Sequence, residues 1–599
     1  MKKILIINDE EIRLNKHSSN EIYYNWNGDD KLSSSLSNYI KKNKNYLKQD
    51  YLDFVENIKT SQKNKLLSEV LNFKIYNRYN IFEISNIYEK NIFKSNKIID
   101  CIKLLAIRKI IKEKKISEIH YYGKEIDIFN SLKIICDNCN LIFVSFNQIK
   151  LKKKYFLKTF YIIKSIIFYL IYIIKKFNIL ILKSNLLKFQ KNNIFLFFYY
   201  VHLKSNKISN LWGNLTETLI KNKYKINWLH DFSPSNQVPN SKIFLKNINS
   251  LNNNNNNHIP LDSYLNFNSI IKIFMNFFKI VFKYLFIDIK NIFYYKKKKI
   301  NFNYFLNDNL IKSVFGPDLI KNLIYIEIFE NLFSKSSKIK IGLYLLENQA
   351  WESIMIKAWK YYKHGTIIGS INSTVRDWDL RYFKPNNYKK NNSYYPDFIA
   401  VNGELNKKLI SKNKFINSKK IIPVEAVRYN YLQNIVTRKK IYRSVIIFGD
   451  ISIKINYEIL NDLEKSLKQI KKKYIFYFKP HPTLPKKIVD NLFKRFNFLK
   501  NINNFNINYN QFEYCICSET TSAVIEAIYF RLKTIIYVSK NSINLSPLPP
   551  KLWKNYGYSD KDFVNFFQNS SKNKKIMINR LIDINSKNNK WLKFLKKNL

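Results

Sequence analysis

Between residues 443 and 538 the sequence alternates short apolar runs with helical stretches of about a dozen residues, and that alternation restricts the fold more than any other feature. Arg443–Phe448, Tyr474–Phe478, Tyr514–Cys517 and Thr534–Val538 read as strands, with helices expected over Tyr457–Lys473, Lys486–Phe496 and Thr520–Leu532. Connections of that kind join parallel strands and lay helices on both faces, so an α/β fold with a doubly wound parallel sheet is predicted. Ligands of such sheets bind beyond the carboxyl ends of the strands. Two of those ends here carry dense polar motifs.

The whole chain, 599 residues, is too long for one core and is expected to divide. Residues 1–150 read as an N-terminal α/β accessory domain, with strands at Lys3–Asn8, Lys114–Tyr122 and Leu132–Cys136. A basic, apolar helical segment follows over 151–192. Residues 193–395 form a second α/β unit, opened by the apolar run Asn193–Val201, with a helical insertion at about 265–300. The asparagine run Asn252–Asn257 reads as a solvated linker. The last unit, 396–599, begins at "PDFIAVNGELNKKLI" and holds the alternating series.

Lys and Arg exceed Asp and Glu by 58, an excess that attracts phosphate-rich partners. Much of it is lysine in a sequence also rich in Asn and Ile, as AT-rich codon usage produces. Nucleic acid is not expected as a partner, because the aromatics lie in apolar runs and not on basic–aromatic platforms. Five cysteines are too few for a disulfide framework, and Cys136-Asp-Asn-Cys139 has no second pair to make a metal site. The first residues read as a strand followed by acids, not as a signal peptide, so a cytoplasmic location is expected.

The segments 155–177 and 270–290 are very apolar but broken by lysine, with no uncharged run near the roughly 20 residues that cross a bilayer. Lys272, Lys279, Lys283 and Lys290 fall on one narrow helical stripe. That pattern fits either an interfacial helix drawn to an anionic inner-membrane surface or a core helix with one wet edge.

At the end of the second strand of the series, "KPHP" places Lys479 and His481 beside Pro480 and Pro482, which stiffen the backbone around the imidazole. "CSETTSAVIEA" (517–527) runs from a strand end into a helix. Its Ser518, Thr520, Thr521 and Ser522 offer hydroxyls and backbone N–H groups to an anion, and Glu526 lies one turn beyond Ser522 to accept from a ribose diol. Together the motifs point to nucleotide or phosphate binding. Neither Gly-x4-Gly-Lys-Ser/Thr nor Gly-x-Gly-x-x-Gly occurs, so P-loop hydrolysis and dinucleotide redox chemistry are poor candidates.

"FGD" (448–450), "KPHP" and "SETTSAVIEA" resemble the carboxyl-terminal nucleotide domain of GT-B glycosyltransferases that build bacterial surface polysaccharides. The His-Pro and Ser/Thr motifs are similar to those of sialyltransferase-like and Kdo-transferase-like enzymes. "STVRDWDLRYF" (373–383), "PDFIAVNGE" and "VEAVRYN" (424–430) resemble surface carbohydrate (O-antigen region) biosynthesis proteins.

The resemblance implies a GT-B-like chain of two Rossmann-like domains, each with a parallel doubly wound sheet. Residues 193–395 would receive the acceptor and 396–599 the nucleotide-sugar. Gly449, Lys479, His481, Pro482, Ser518, Thr520, Thr521, Ser522 and Glu526 would hold the donor. Many GT-B enzymes carry an acid where Ser518 stands, and its displacement to Glu519 favours a CMP-type donor, with a nonulosonate or Kdo-like sugar. The acceptor would be a glycan or lipid-linked, and neither a metal nor a further cofactor is implied. Deprotonating the acceptor hydroxyl falls to Asp379, Asp377 or Glu347, although Asp379 equally fits an ion pair with Arg376 or Arg381. A CDP-glycerol-type phosphotransferase and a non-catalytic nucleotide- or glycan-binding scaffold are the alternatives.

Overall fold

The computed structural model of the chain describes residues 3–9, 20–27, 34–60, 73–147, 157–181, 194–200, 211–234, 238–254, 256–286, 292–385, 395–412, 417–436, 438–502, 508–539, 542–548, 553, 555–569 and 581–599. Three parallel sheets follow one another along these residues.

The first holds β1 (Ile4–Asn8), β2 (Glu21–Asn25), β3 (Ser34–Ser35), β4 (Glu118–Tyr122) and β5 (Ile142–Ser145), in the order β3-β2-β1-β4-β5. Helices α1 (Lys97–Lys114) and α2 (Ile126–Cys139) accompany it. The expected strand at Leu132–Cys136 lies inside α2. Leu132, Ile135 and Cys136 are the buried face of that helix, a spacing that five residues read alone cannot distinguish from a strand. Cys136 faces the core, and burial pushes its thiol up to about 12.

Of the expected basic segment 151–192, the described part is one long helix, α3 (Leu157–Leu180). The second sheet holds β6 (Ile194–Tyr200), β7 (Ile226–Phe232), β8 (Asn256–Pro260), β9 (Ile341–Leu345), β10 (Thr366–Ile371), β11 (Phe398–Asn402) and β12 (Ile421–Val424). Its order is β8-β7-β6-β9-β10-β11-β12. The asparagine run is thus not all linker, since Asn256 and Asn257 pair with Ile226 and Asn227 to start edge strand β8.

β11 and β12 also move the expected boundary. They pair onto β10 and extend the second sheet to Val424, because Ile399, Val401 and Ile421 are needed to cover its core. Around this sheet lie α4 (Ser241–Leu251), α5 (Phe267–Leu285), α6 (Asn303–Phe315), α7 (Pro317–Lys335) and α8 (Ala350–Tyr361). The insertion expected at 265–300 is therefore the start of a larger helical layer. The apolar core of residues 1–150 runs without a break into that layer: Phe54 meets Phe302 with ring centroids 4.5 Å apart, and Arg78–Glu330 (2.8 Å) and Lys357–Glu83 (3.1 Å) tie the edges.

The third sheet holds β13 (Ser444–Phe448), β14 (Ile475–Lys479), β15 (Leu499–Asn501), β16 (Tyr514–Ser518), β17 (Lys533–Tyr537) and β18 (Tyr556–Gly557), ordered β15-β14-β13-β16-β17-β18. Every residue of β13 and β16 is buried, as strands covered by helices on both faces require. Helices α9 (Ile453–Leu467), α10 (Lys486–Arg495) and α11 (Ala523–Tyr529) connect them. The last helix, α12 (Asn589–Asn598), returns to the second sheet, where Trp591, Phe594 and Leu595 join the core of β9 and β10. The second and third sheets are the two doubly wound Rossmann-like units of a GT-B-like chain, with the α/β unit of the first sheet added at the N-terminal end.

Candidate functional site

In the third sheet the winding reverses between β13 and β16, so the crevice of this unit opens at their carboxyl ends. The "KPHP" and Ser/Thr motifs are not on neighbouring strands, as the sequence order suggested. β13 lies between them, and its own end, Gly449-Asp450, forms the floor. A Cβ on Gly449 would stand 2.9 Å from the Phe478 ring and 3.0 Å from Asn456 Oδ1, so the chain passes there only as glycine. Asp450 is buried. Its Oδ1 accepts from the Ser452 N–H (2.7 Å), Asn456 brackets its backbone, and the Thr520 hydroxyl donates to its Oδ2. Ser518 Oγ lies 3.4 Å from Thr520 Oγ1, so two of the predicted hydroxyls share this floor.

Thr521 and Ser522 form the turn that follows, with Thr521 Oγ1 accepting from the Ala523 N–H at 3.3 Å. Because 519–522 is a turn, α11 begins at Ala523 and not at Thr520. It ends at Tyr529, since Arg531 turns left-handed (φ 56°) and the Leu532 N–H closes back on the Ala527 carbonyl at 2.9 Å.

On the other flank, the Lys479 ammonium donates to the Tyr509 hydroxyl and lies 4.1 Å from that ring's centre. His481 is half-buried and Pro482 exposed. The Thr483 N–H points at His481 Nδ1 (3.3 Å), with Thr483 Oγ1 at 2.7 Å. A neutral ring so held carries its proton on Nε2, free to donate outward. Partial burial lowers the imidazole below its usual range, against a weaker opposing pull from Asp450.

Glu526 faces the same space. Burial raises its carboxyl, while a hydrogen bond from Tyr431 and the charges of Lys479 and Arg428 oppose the rise. Glu519 is buried to 1% exposure, its Oε2 accepting from the Leu545 N–H at 3.0 Å. Desolvation, with a smaller contribution from Asp450, pushes it up to about 7.

The three candidate bases differ sharply. Asp379 is buried and bidentate to Arg381, with both N···O distances 2.7 Å, so neither oxygen is open to an acceptor. Asp377 pairs with Lys44 at 2.5 Å, and its carbonyl accepts from Lys48. Burial pushes the Lys48 ammonium down to about 8. Glu347, just past β9 where the second sheet reverses, is exposed and touched by the Gln349 amide at 2.6 Å. Arg376 joins the two sheets: its guanidinium donates to the carbonyls of Thr520 and Leu545, both at 2.8 Å. The carboxyl ends of the second and third sheets therefore meet.

Asp450, Arg428, Tyr431 and Tyr509 were not singled out from the sequence. Asp450 had a usable signal, its place directly after the first strand of a doubly wound unit. Arg376 was named only as an ion-pair partner for Asp379, and its guanidinium spans the two sheets instead. Among the described residues no cluster of His, Cys, Asp and Glu has the geometry of a metal site. Lys272, Lys279 and Lys283 are exposed along α5, far from this crevice in the sequence, and Lys290 lies outside the described residues.

No family model and no curated protein matches the sequence. Among solved structures, the chain is similar to UDP-GlcNAc 2-epimerase from Methanocaldococcus jannaschii (10% identity, TM-score 0.37), the calicheamicin glycosyltransferase CalG4 (8%, 0.38) and TarM (12%, 0.36). Each likeness covers 68% of this chain and 99% of the other. They are too distant to carry an argument, and the fold rests on the sheets themselves.

Proposed function

We propose that the chain is a glycosyltransferase of bacterial surface-polysaccharide assembly, moving a sugar from a nucleotide-activated donor, preferably a CMP-sugar, to a glycan or lipid-linked acceptor. One observation carries this reading. Lys479, His481, Ser518 and Thr520 converge on the end of β13, while the exposed Glu347 stands at the matching point of the facing sheet. Charge develops on the phosphate as the bond from the anomeric carbon to its oxygen breaks. The Lys479 ammonium and the His481 Nε2–H would stabilise it. The acceptor oxygen forms the new bond to that carbon and gives its proton to Glu347.

Calorimetry with CMP, CDP, UDP and GDP tests the donor half. His481→Ala should weaken the preferred nucleotide at least tenfold, and unchanged affinity removes the phosphate assignment. Glu347→Gln should keep nucleotide affinity and lose transfer from an intact donor. Binding without turnover in the unaltered protein would leave a scaffold, and release of CMP from CDP-glycerol would make it a phosphotransferase.

A further inference from the structure

Helices α3 and α5 lie antiparallel and side by side. The Tyr169 hydroxyl donates to the Ile270 carbonyl (2.8 Å) and the Lys158 ammonium to the Leu285 carbonyl (2.9 Å). Their inner faces are seated on the helical layer: Ser165 bonds to the Phe315 carbonyl at 2.7 Å, and Ile273, Phe277 and Ile280 are fully buried. Their outer faces are apolar and uncovered. Ile163, Ile167, Leu170 and Ile174 on α3 are each more than half exposed, and Phe267, Met275, Phe282 and Phe286 at α5 are between 63% and 87% exposed. At 100° per residue the two faces adjoin along the seam between the helices.

Lysines frame this surface on both outer edges. Lys164 and Lys175 follow the edge of α3 away from α5, and Lys272, Lys279 and Lys283 follow the edge of α5 away from α3. Neither helix contains an Asp or Glu. Around the lysines, Glu327 lies within electrostatic reach of Lys272, and the Phe73 ring sits 4.8 Å from Lys283.

We propose that the outer faces of α3 and α5 form one docking surface for an anionic bilayer. The apolar side chains would enter the interfacial region and the two lysine rows would meet lipid phosphates. The charge pattern selects this occupant: a second copy would set lysine rows against lysine rows, whereas an anionic lipid surface neutralises both. Among the described residues, α3 is the one helix long and apolar enough to cross a membrane. Its inner face holds it to the protein instead, with Lys176 buried against Asp262 (2.5 Å) and Asp231 (3.6 Å). None of these residues belongs to the nucleotide crevice, so this inference and the transferase reading fail separately.

The test is flotation of the full chain with vesicles of phosphatidylcholine, alone or with about one third phosphatidylglycerol, at low and at high salt. Binding should require the anionic lipid and weaken with salt, since exposed charges are screened. Lys272→Glu with Lys279→Glu and Lys283→Glu, and separately Ile174→Ser with Phe282→Ser, should each weaken it at least tenfold with thermal stability unchanged. Equal binding to both vesicles, or variants that bind like the original, would overturn the proposal. So would a concentration-dependent dimer, abolished by the Ser variant, in a chain that ignores vesicles. Protein from cells that stays in the membrane after alkaline carbonate extraction would make α3 a span and overturn it as well.

Discussion

Replacing Glu519 by Gln isolates the cost of one buried carboxyl. In the fold this group is pushed from the ordinary 4.5 up to about 7, chiefly by desolvation. A carboxyl whose folded value is raised binds its proton more tightly folded than unfolded, so stability is lost as pH climbs from the unfolded value through the folded one. At 1.36 kcal/mol per pKa unit the full loss is about 3 kcal/mol, most of it between pH 5 and pH 8. Gln keeps an oxygen for the Leu545 N–H and carries no charge, so it mimics the protonated form at every pH. The third unit of the unaltered protein should therefore melt progressively lower over that range while the Gln variant stays level. At roughly 2–4 °C per kcal/mol, the variant should melt about 6–12 °C higher at pH 8 and within a few degrees of the original at pH 5. Fluorimetric melting curves across the range make the measurement. An unaltered protein with a flat profile, or a variant that parallels it, refutes the raised carboxyl.

Asp379→Asn should act on folding and not on chemistry. It leaves the buried Arg381 guanidinium without its partner, at a cost of about 3–5 kcal/mol, and a variant of normal stability with no turnover would restore Asp379 as the base. The His481 imidazole is lowered in the free protein and would be raised by a bound phosphate. Nucleotide affinity should therefore be greatest below the free-state value and fall as pH rises through the bound-state value. The difference between unaltered protein and His481→Gln, titrated from pH 5 to pH 8, isolates that slope, and identical slopes remove the imidazole from the site.

The third sheet was legible in the sequence because strands buried on both faces are continuous apolar runs, and β13, β14, β16 and β17 fall within a residue or two of their expected places. The order of those strands was not legible, since nothing in the chain says that β13 inserts between the strands ending at Lys479 and Ser518. Asp379 illustrates a second limit. Its flanking Trp378 and Leu380 fit a buried base and a buried ion pair equally well, and only the Arg381 fork decides. Long-range ties such as Arg376 to Thr520 and Leu545 leave no local trace. Nor does the burial of residues 1–150 against α6 and α7, which makes that unit a part of the core and not an appendage.

The return of α12 to the second sheet means the chain crosses between the two Rossmann-like units twice. The crossings run together: the Ala426 N–H donates to the Asp583 carbonyl (2.6 Å), the Ser586 N–H to Gln433 Oε1 (2.9 Å), and the Trp591 N–H to Glu425 (3.0 Å). Two laced strands behave as a door hinge does, permitting a swing about their common line and resisting twist. A swing that parts the crevice must first release the Arg376 latch from Thr520 and Leu545 on the far side. Clipping the chain before Asn589 would remove one leaf of the hinge and also uncover the apolar flank of the second sheet where Trp591, Phe594 and Leu595 now sit.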